Sequence, residues 1–215
     1  VRPVLEESFG ADSPHLTSRY NAGAYTYMRL GDYVKAEELL LRGIANREKA
    51  GVPPDYLAVK NLGNLRRLQG RLEEAEPLFA RALAIGEEVH GPDHPQVGKV
   101  LADYALLRLD QGRSGEAEEF CNRAQAIAVE TQGHGSVFEA RVQHNFGLIY
   151  TASGRHDEAE EALRRALHTR EESFSPEHPD LGDTLRAYAA VLDELGRHGE
   201  ADEMASRADT ITESR

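Results

Sequence analysis

The chain has 215 residues, of which 40% are apolar, 29% are charged and only 7% are aromatic, with 37 acidic against 25 basic side chains. This apolar content is too high for intrinsic disorder, and no run of about 18 uncharged apolar residues indicates a membrane-spanning helix. The net charge of −12 disfavours nucleic acid as a partner, because binding to phosphates needs clustered positive charge. The single cysteine, Cys121, has no internal disulfide partner, so the composition predicts a cytoplasmic protein.

A repeated pattern runs along the whole chain. Five glycines are each followed five positions later by an alanine, and successive alanines are 39, 42, 42 and 42 residues apart. The sequence of residues 6–9 recurs at 171–174, so the chain is expected to open with the tail of a truncated unit at 1–12. The spacing predicts one domain over 1–215 with five units at 13–51, 52–93, 94–135, 136–177 and 178–215. The glycine and alanine pairs are Gly31/Ala36, Gly70/Ala75, Gly112/Ala117, Gly154/Ala159 and Gly196/Ala201.

Each unit is predicted to form two helices. The first, for example from Val97 to Gln111, carries apolar residues at helical spacing and ends before a glycine suited to a left-handed turn. The second begins with several acidic residues, which the helix dipole favours at that end. The last helix, 200–213, is rich in alanine and polar residues, as is typical of a terminal cap. First-turn prolines are expected at Pro14, Pro95 and Pro179.

The repeat resembles the tetratricopeptide repeat, and specifically its 42-residue kinesin-light-chain-like variant. Small residues recur where the two helices of such a unit cross, since close helix packing requires small side chains there. The resemblance implies an all-α fold, a right-handed α-solenoid of tandem helix-turn-helix units. The small residues of the first helices are Ala24, Gly63, Ala105, Gly147 and Ala189, and the later ones of the second helices are Gly43, Ala82, Ala124, Ala166 and Ala208.

The resemblance also implies a concave groove lined by the first helices, which binds a peptide or protein segment. The groove positions of the central units are mostly basic, whereas much of the acidic charge falls at the second-helix starts. We therefore expect an acidic segment, with asparagine amides contacting its backbone. The candidate groove residues are Asn21, Tyr25, Lys60, Asn61, Asn64, Arg67, Lys99, Arg141, His144, Asn145 and Arg186.

Catalytic and metal-binding chemistry are disfavoured. No P-loop, GxGxxG, GxSxG, HExxH or paired CxxC motif occurs. His94 and His178 are two repeats apart, and inter-repeat turn chemistry explains them better than a metal site does. Cys121 aligns with apolar positions of the other units and is expected in the core. No catalytic residue, metal or cofactor is predicted, and the chain is not expected to be an enzyme.

The sequence thus predicts a module for protein–protein interaction. One alternative is a peptide-sensing regulatory domain of a larger signalling protein. Another is a self-assembling scaffold, a homo-oligomer formed through the solenoid ends, for which the N-terminal end is the expected stacking face. Neither nucleic acid nor membrane insertion is expected.

Overall fold

A computed structural model describes residues 16–213, and within this range it contains ten α-helices and no strand. The predicted truncated unit at 1–12 and Pro14 lie outside the described residues. The helix bounds are α1 Thr17–Arg29, α2 Tyr33–Lys49, α3 Tyr56–Leu68, α4 Leu72–His90, α5 Pro95–Asp110, α6 Ser114–Gln132, α7 Val137–Ala152, α8 His156–Ser173, α9 Pro179–Glu194 and α10 His198–Glu213.

The helices pair into hairpins within two compact units, Val1–Pro92 with α1–α4 and Asp93–Arg215 with α5–α10. We call them unit 1 and unit 2. In each unit the first helices of successive hairpins contact one another: α1 contacts α3, α5 contacts α7, and α7 contacts α9. Each second helix also packs against the first helix of the next hairpin in its unit. The predicted class, all-α with tandem helical hairpins, is confirmed.

The turns follow the predicted chemistry. The glycines at 31, 70, 112, 154 and 196 all have φ between 71° and 75°, a left-handed conformation that a side chain disfavours. His94 and His178 are N-caps, because Nδ1 of each accepts a hydrogen bond of 3.2 Å from the backbone N–H two residues later. Pro95 and Pro179 follow them in the first turn, so the interpretation of both histidines as turn residues is confirmed.

Small residues lie where the helices of a hairpin cross. A Cβ added to Gly63 would stand 3.1 Å from Cδ2 of Phe79, and one added to Gly147 would stand 2.6 Å from Cδ2 of Leu163. The alanines that follow the repeat glycines by five positions are all buried, and so is Cys121. Burial raises the pKa of the Cys121 thiol to about 12, which agrees with its predicted place in the core.

An arginine precedes the acidic first turn of four second helices, a feature whose role the sequence analysis missed. Its Nε donates to the glutamate three residues later, at 2.6–2.7 Å, so these helix starts are partly neutralised. Two of the arginines also bind a glutamate of the preceding second helix, at 2.8 and 2.6 Å. The recurrent Gly-Arg pair was the available signal. The ion pairs are Arg71–Glu74, Arg113–Glu116, Arg155–Glu158 with Glu118, and Arg197–Glu200 with Glu160.

Candidate protein-binding face

In unit 1 the candidate residues lie on α1 and α3, which pack side by side. The carboxamide of Asn61 donates from Nδ2 to Oδ1 of Asn21 at 2.6 Å, so these two residues face each other across the helix contact. Tyr25 lies one turn beyond Asn21 and is 56% exposed. We call this surface the α1–α3 face.

Three further candidates follow helical spacing on α3, at positions 60, 64 and 67. Lys60, Asn64 and Arg67 are half-buried, and each already takes part in interactions within the chain. A ligand on the α1–α3 face would therefore exchange existing contacts for new ones.

The charge of the α1–α3 face is one-sided. Helices α1 and α3 contain five basic residues and no aspartate or glutamate. One of the five, Arg66, is held by Glu37 of α2, with Nη1 donating to Oε2 at 2.8 Å. The basic residues are Arg19, Arg29, Lys60, Arg66 and Arg67.

The net charge of the protein is unevenly divided between the units. Unit 1 has 12 basic against 13 acidic residues, whereas unit 2 has 13 basic against 24 acidic residues. The three first helices of unit 2 carry aspartates and glutamates beside their basic residues, in contrast to α1 and α3. The excess of positive charge among first helices therefore lies in unit 1.

In unit 2 several candidates connect α5 to α7. The guanidinium of Arg141 forms an ion pair with Asp103, and its Nη2 also donates to the carbonyl oxygen of Lys99 at 3.3 Å. Asn145 is 2% exposed and donates from Nδ2 to the carbonyl oxygen of Ala102 at 2.8 Å. The structure thus brings Arg141 and Asn145 together with the backbone of α5, and both stabilise the contact between the two helices.

His144 lies in a polar cluster with Thr184 of α9 and Arg170 of α8. Its Nδ1 is 3.4 Å from Oγ1 of Thr184, and the same hydroxyl accepts a hydrogen bond from Arg170 Nη1. Arg170 is only 4% exposed and also donates to the carbonyl oxygen of Asp180 at 2.7 Å. Loss of hydration, with the positive charges of Arg170 and Arg141, lowers the pKa of His144 to about 3.

Arg170 and Thr184 were not among the sequence candidates. Arg170 occupies the same repeat position as Gly86, two repeats earlier, and Ala128, one repeat earlier. Both of those are small, buried residues. A large cation in a column of small residues is a signal that the repeat alignment could have exposed. Burial also lowers the pKa of the Arg170 guanidinium.

Arg186 has a different environment. It is exposed, donates to Oγ1 of Thr212 on α10, and lies 3.7 Å from a carboxylate oxygen of Asp183. The structure gives it no hydrogen bond or ion pair with Arg141, His144 or Asn145.

Two negative findings apply to residues 16–213. No group of three or more histidine, cysteine, aspartate or glutamate side chains is arranged to hold a metal ion there. In the same range, every helix is too short or too polar to span a bilayer.

Solved structures share this architecture at low sequence identity. BtubC (BKLC) from P. vanneervenii is 23% identical, with a TM-score of 0.70 over 94% of this chain and 81% of that chain. TPR-like repeats of a Podosopora anserina protein named as a kinesin light chain are 23% identical, with a TM-score of 0.64 over 93% and 96% of the two chains. PilW, a type IV pilus biogenesis factor, is 20% identical, with a TM-score of 0.64 over 92% and 78%. At these identities the likeness shows the fold alone.

Sequence comparison places the repeats in a family. No curated protein matches the chain in sequence. The family model for the tetratricopeptide repeat matches residues 55–130, 99–172 and 138–213, in overlapping stretches that together span most of the chain. The 42-residue period, the small residues at the helix crossings and this match agree, and the chain belongs to the tetratricopeptide-repeat family.

Proposed function

We propose that this chain is a protein-interaction module that binds an acidic segment of another protein on the α1–α3 face. Tetratricopeptide repeats are in general protein-interaction modules, which supports the broader part of the proposal. The residues proposed to contact the segment are those of the α1–α3 face: Asn21, Tyr25, Lys60, Asn61, Asn64 and Arg67.

One observation carries the proposal of an acidic ligand. Helices α1 and α3 carry no carboxylate and five basic residues, one of which, Arg66, is paired with Glu37, in a protein whose net charge is −12. A local field of one sign steers an oppositely charged segment toward the surface and disfavours segments of like charge. Tyr25, more than half exposed and one helical turn from Arg29, adds an apolar surface with a polar tip.

In this proposal the asparagines offer fewer free hydrogen-bonding groups to a ligand backbone than the sequence suggested. Nδ2 of Asn61 is engaged by Asn21, which leaves its carbonyl oxygen and the Nδ2 group of Asn21 for a ligand. The interhelical pair therefore holds one acceptor and one donor at fixed positions. A segment in extended conformation presents N–H and C=O groups that could satisfy both.

The proposal is tested with a fluorescent peptide rich in glutamate and aspartate, and with a matched peptide in which glutamine and asparagine replace the acids. We expect the acidic peptide to bind more tightly and its affinity to fall steeply with added salt. The variant Lys60→Glu/Arg67→Glu should lose this preference. Equal binding of both peptides to the wild type at low salt would refute the acidic-ligand proposal.

A control variant separates local from global charge effects. Lys49→Glu/Arg81→Glu makes the same change in net charge on the second helices α2 and α4, where both side chains are exposed. It should keep most of the affinity for the acidic peptide. Helix content by circular dichroism must be unchanged in both variants, because Lys60 and Arg67 also make interactions within the chain.

A second candidate, self-association through the first hairpin, is supported by a different observation. Three large apolar side chains are exposed there: Leu30 by 73%, Val34 by 80% and Leu41 by 46%. Val34 and Leu41 are seven residues apart on α2 and so lie on one face of the helix, and exposed apolar residues on one face are typical of contact surfaces. Light scattering at increasing concentration should show a rising mass that Val34→Lys/Leu41→Lys abolishes, and a constant monomer mass would refute this candidate.

A further inference from the structure

The hydroxyl of Thr184 has three polar neighbours, each from a different position in unit 2. It lies 2.9 Å from the carbonyl oxygen of Asp180, it is bonded by Nη1 of Arg170, and it lies 3.4 Å from Nδ1 of His144. Thr184 is fully buried, so these neighbours must use the hydrogen-bonding capacity that the hydroxyl has. A hydroxyl offers one hydrogen and two lone pairs.

The chemistry of two neighbours determines that of the third. A guanidinium only donates, so Arg170 occupies one lone pair of the hydroxyl. A carbonyl oxygen only accepts, so Asp180 takes the hydroxyl hydrogen at the shorter of the two remaining distances. The second lone pair is then directed to His144, and the imidazole must donate to it from Nδ1. A neutral ring protonated at Nδ1 has a lone pair at Nε2.

A second proton on the ring is strongly disfavoured. Arg141 on the same helix and Arg170 on α8 place positive charge beside the imidazole, while Asp103 of α5 is already paired with Arg141. On α9 the acids Asp180 and Asp183 are close enough to stabilise the charge of Arg170. The pKa of His144 at about 3 agrees with this arrangement, so the ring stays neutral throughout the physiological range.

The second ring nitrogen, Nε2, keeps only partial access to solvent. His144 is half-buried, and within the described residues its hydrogen bonding is confined to Nδ1. Nε2 is not fully buried, so it keeps some contact with solvent. His144 lies on α7, which contacts the adjacent first helices α5 and α9.

We infer that Nε2 of His144 is a fixed hydrogen-bond acceptor, and that the first-helix face of unit 2 takes a neutral N–H donor, the main-chain amide of a bound protein segment. The inference rests on the proposed function for the presence of a segment and adds the chemistry that unit 2 selects. A carboxylate would be repelled by Nε2, because both groups would present lone pairs and neither would supply a hydrogen. A lysine ammonium would be repelled by Arg141 and Arg170. An amide N–H has neither disadvantage.

The protonation state is tested on the free protein by long-range proton–nitrogen correlation NMR. We expect the nitrogen shifts of His144 to show a neutral ring protonated at Nδ1, unchanged between about pH 5 and about pH 8. The variant Thr184→Val, which keeps the volume but removes the acceptor, should shift the ring toward protonation at Nε2. A ring protonated at Nε2 in the wild type, or one that becomes charged in this range, overturns the inference.

The ligand is tested by selecting peptides from a displayed random library on the wild type and then replacing each backbone N–H in turn by N–CH3. One replacement should weaken wild-type binding about tenfold, and the same replacement should have little effect on His144→Leu. His144→Gln, which retains an acceptor at the ε position, should bind better than His144→Asn. If peptides bind but no replacement couples to His144, the inference fails and the proposed function stands. If no peptide binds, the proposed function fails and the ligand half of the inference fails with it.

Discussion

Asn61 on α3 donates its side-chain Nδ2 to the side-chain oxygen of Asn21 on α1 at 2.6 Å, 40 residues away in sequence. Asn21 is 9% exposed, so the bond lies within the contact between the two helices. In unit 2, Asn145 donates in a comparable way from α7 to the backbone of α5. Asparagines expected to contact a ligand thus also connect neighbouring first helices, and a substitution at these positions alters packing as well as binding.

Replacing Asn61 by alanine should lower the free energy of unfolding by about 1 to 2 kcal/mol, because Oδ1 of Asn21 would lose its hydrogen bond in a nearly buried position. Urea unfolding followed by circular dichroism measures the effect. Glu88→Ala, on an exposed position of α4, serves as the control. The double variant Asn21→Ala/Asn61→Ala should cost less than the sum of the two single changes, and strictly additive costs would contradict a direct bond.

Gly147→Ala should destabilise the protein by about 1 to 3 kcal/mol, although alanine favours helix formation over glycine. The added Cβ would stand 2.6 Å from Cδ2 of Leu163, a residue with no exposed surface and hence little room to move. Gly115→Ala is the matched control, because an added Cβ there meets nothing within 4 Å. Thermal unfolding should show a lower midpoint for Gly147→Ala and an equal or higher midpoint for Gly115→Ala.

A rescue variant tests the cause of that destabilisation. Shortening the partner by Leu163→Ala leaves a cavity in the wild-type background, but in the Gly147→Ala background the new methyl group occupies part of that space. The double variant should therefore be more stable than the sum of the single effects predicts. A double variant at or below that sum would mean that Gly147 is required for another reason, such as backbone conformation.

The fold was predictable to a greater depth than the site. The position of Gly147 opposite a large residue follows from the repeat period alone, because every unit has a small residue at the same place, where its two helices cross. The cap at Ser136, which accepts from Glu139 N–H at 3.1 Å, follows from local chemistry. Both features depend on neighbours in the chain or on the period.

The site depends on pairs of side chains that periodicity does not define. Arg141 was expected on the first-helix face, but spacing alone does not show that Asp103 neutralises its charge. The bond between Thr184 and Arg170 joins α9 to the buried end of a side chain on α8. Predicting it would have required the rotamer of Arg170. A periodic pattern indicates the face of a helix on which a residue lies, whereas the pairing of side chains across helices decides the charge and the hydrogen-bonding capacity left for a ligand.

Glu37→Gln should destabilise unit 1 in a pH-dependent way. Hydrogen bonds from Arg66 hold the pKa of the Glu37 carboxyl below its ordinary value of 4.5. Because the folded pKa is lower than the unfolded pKa, the pair contributes fully above pH 4.5, and its contribution is lost as the pH falls through the folded pKa. At about pH 7 we expect a cost of about 1 kcal/mol, since Arg66 keeps a weaker contact with Glu74 at 3.5 Å.

Urea unfolding of the wild type and of Glu37→Gln across this range measures the difference in stability. The two curves should converge as the pH falls below 4.5 and stay apart above it. The variant Glu88→Gln, changed at an exposed position, should follow the wild type throughout. A gap between wild type and Glu37→Gln that widens toward acid would contradict the ion pair as the source of the effect.

Cys121 should react with a disulfide-exchange reagent at about pH 8 at least about a hundredfold more slowly in the folded protein than in urea. The thiolate is the reactive form, and burial raises the pKa of this thiol from 9.0 to about 12, so very little thiolate is present. The residue also has no exposed surface, which means that the reagent must wait for the hairpin to open. The matched control is Glu119→Cys in a Cys121→Ala background, which places a thiol at an exposed position of the same helix and should react at once. Rapid modification of Cys121 in the folded state would overturn its structural role and would restore the reactive cysteine that the sequence analysis set aside.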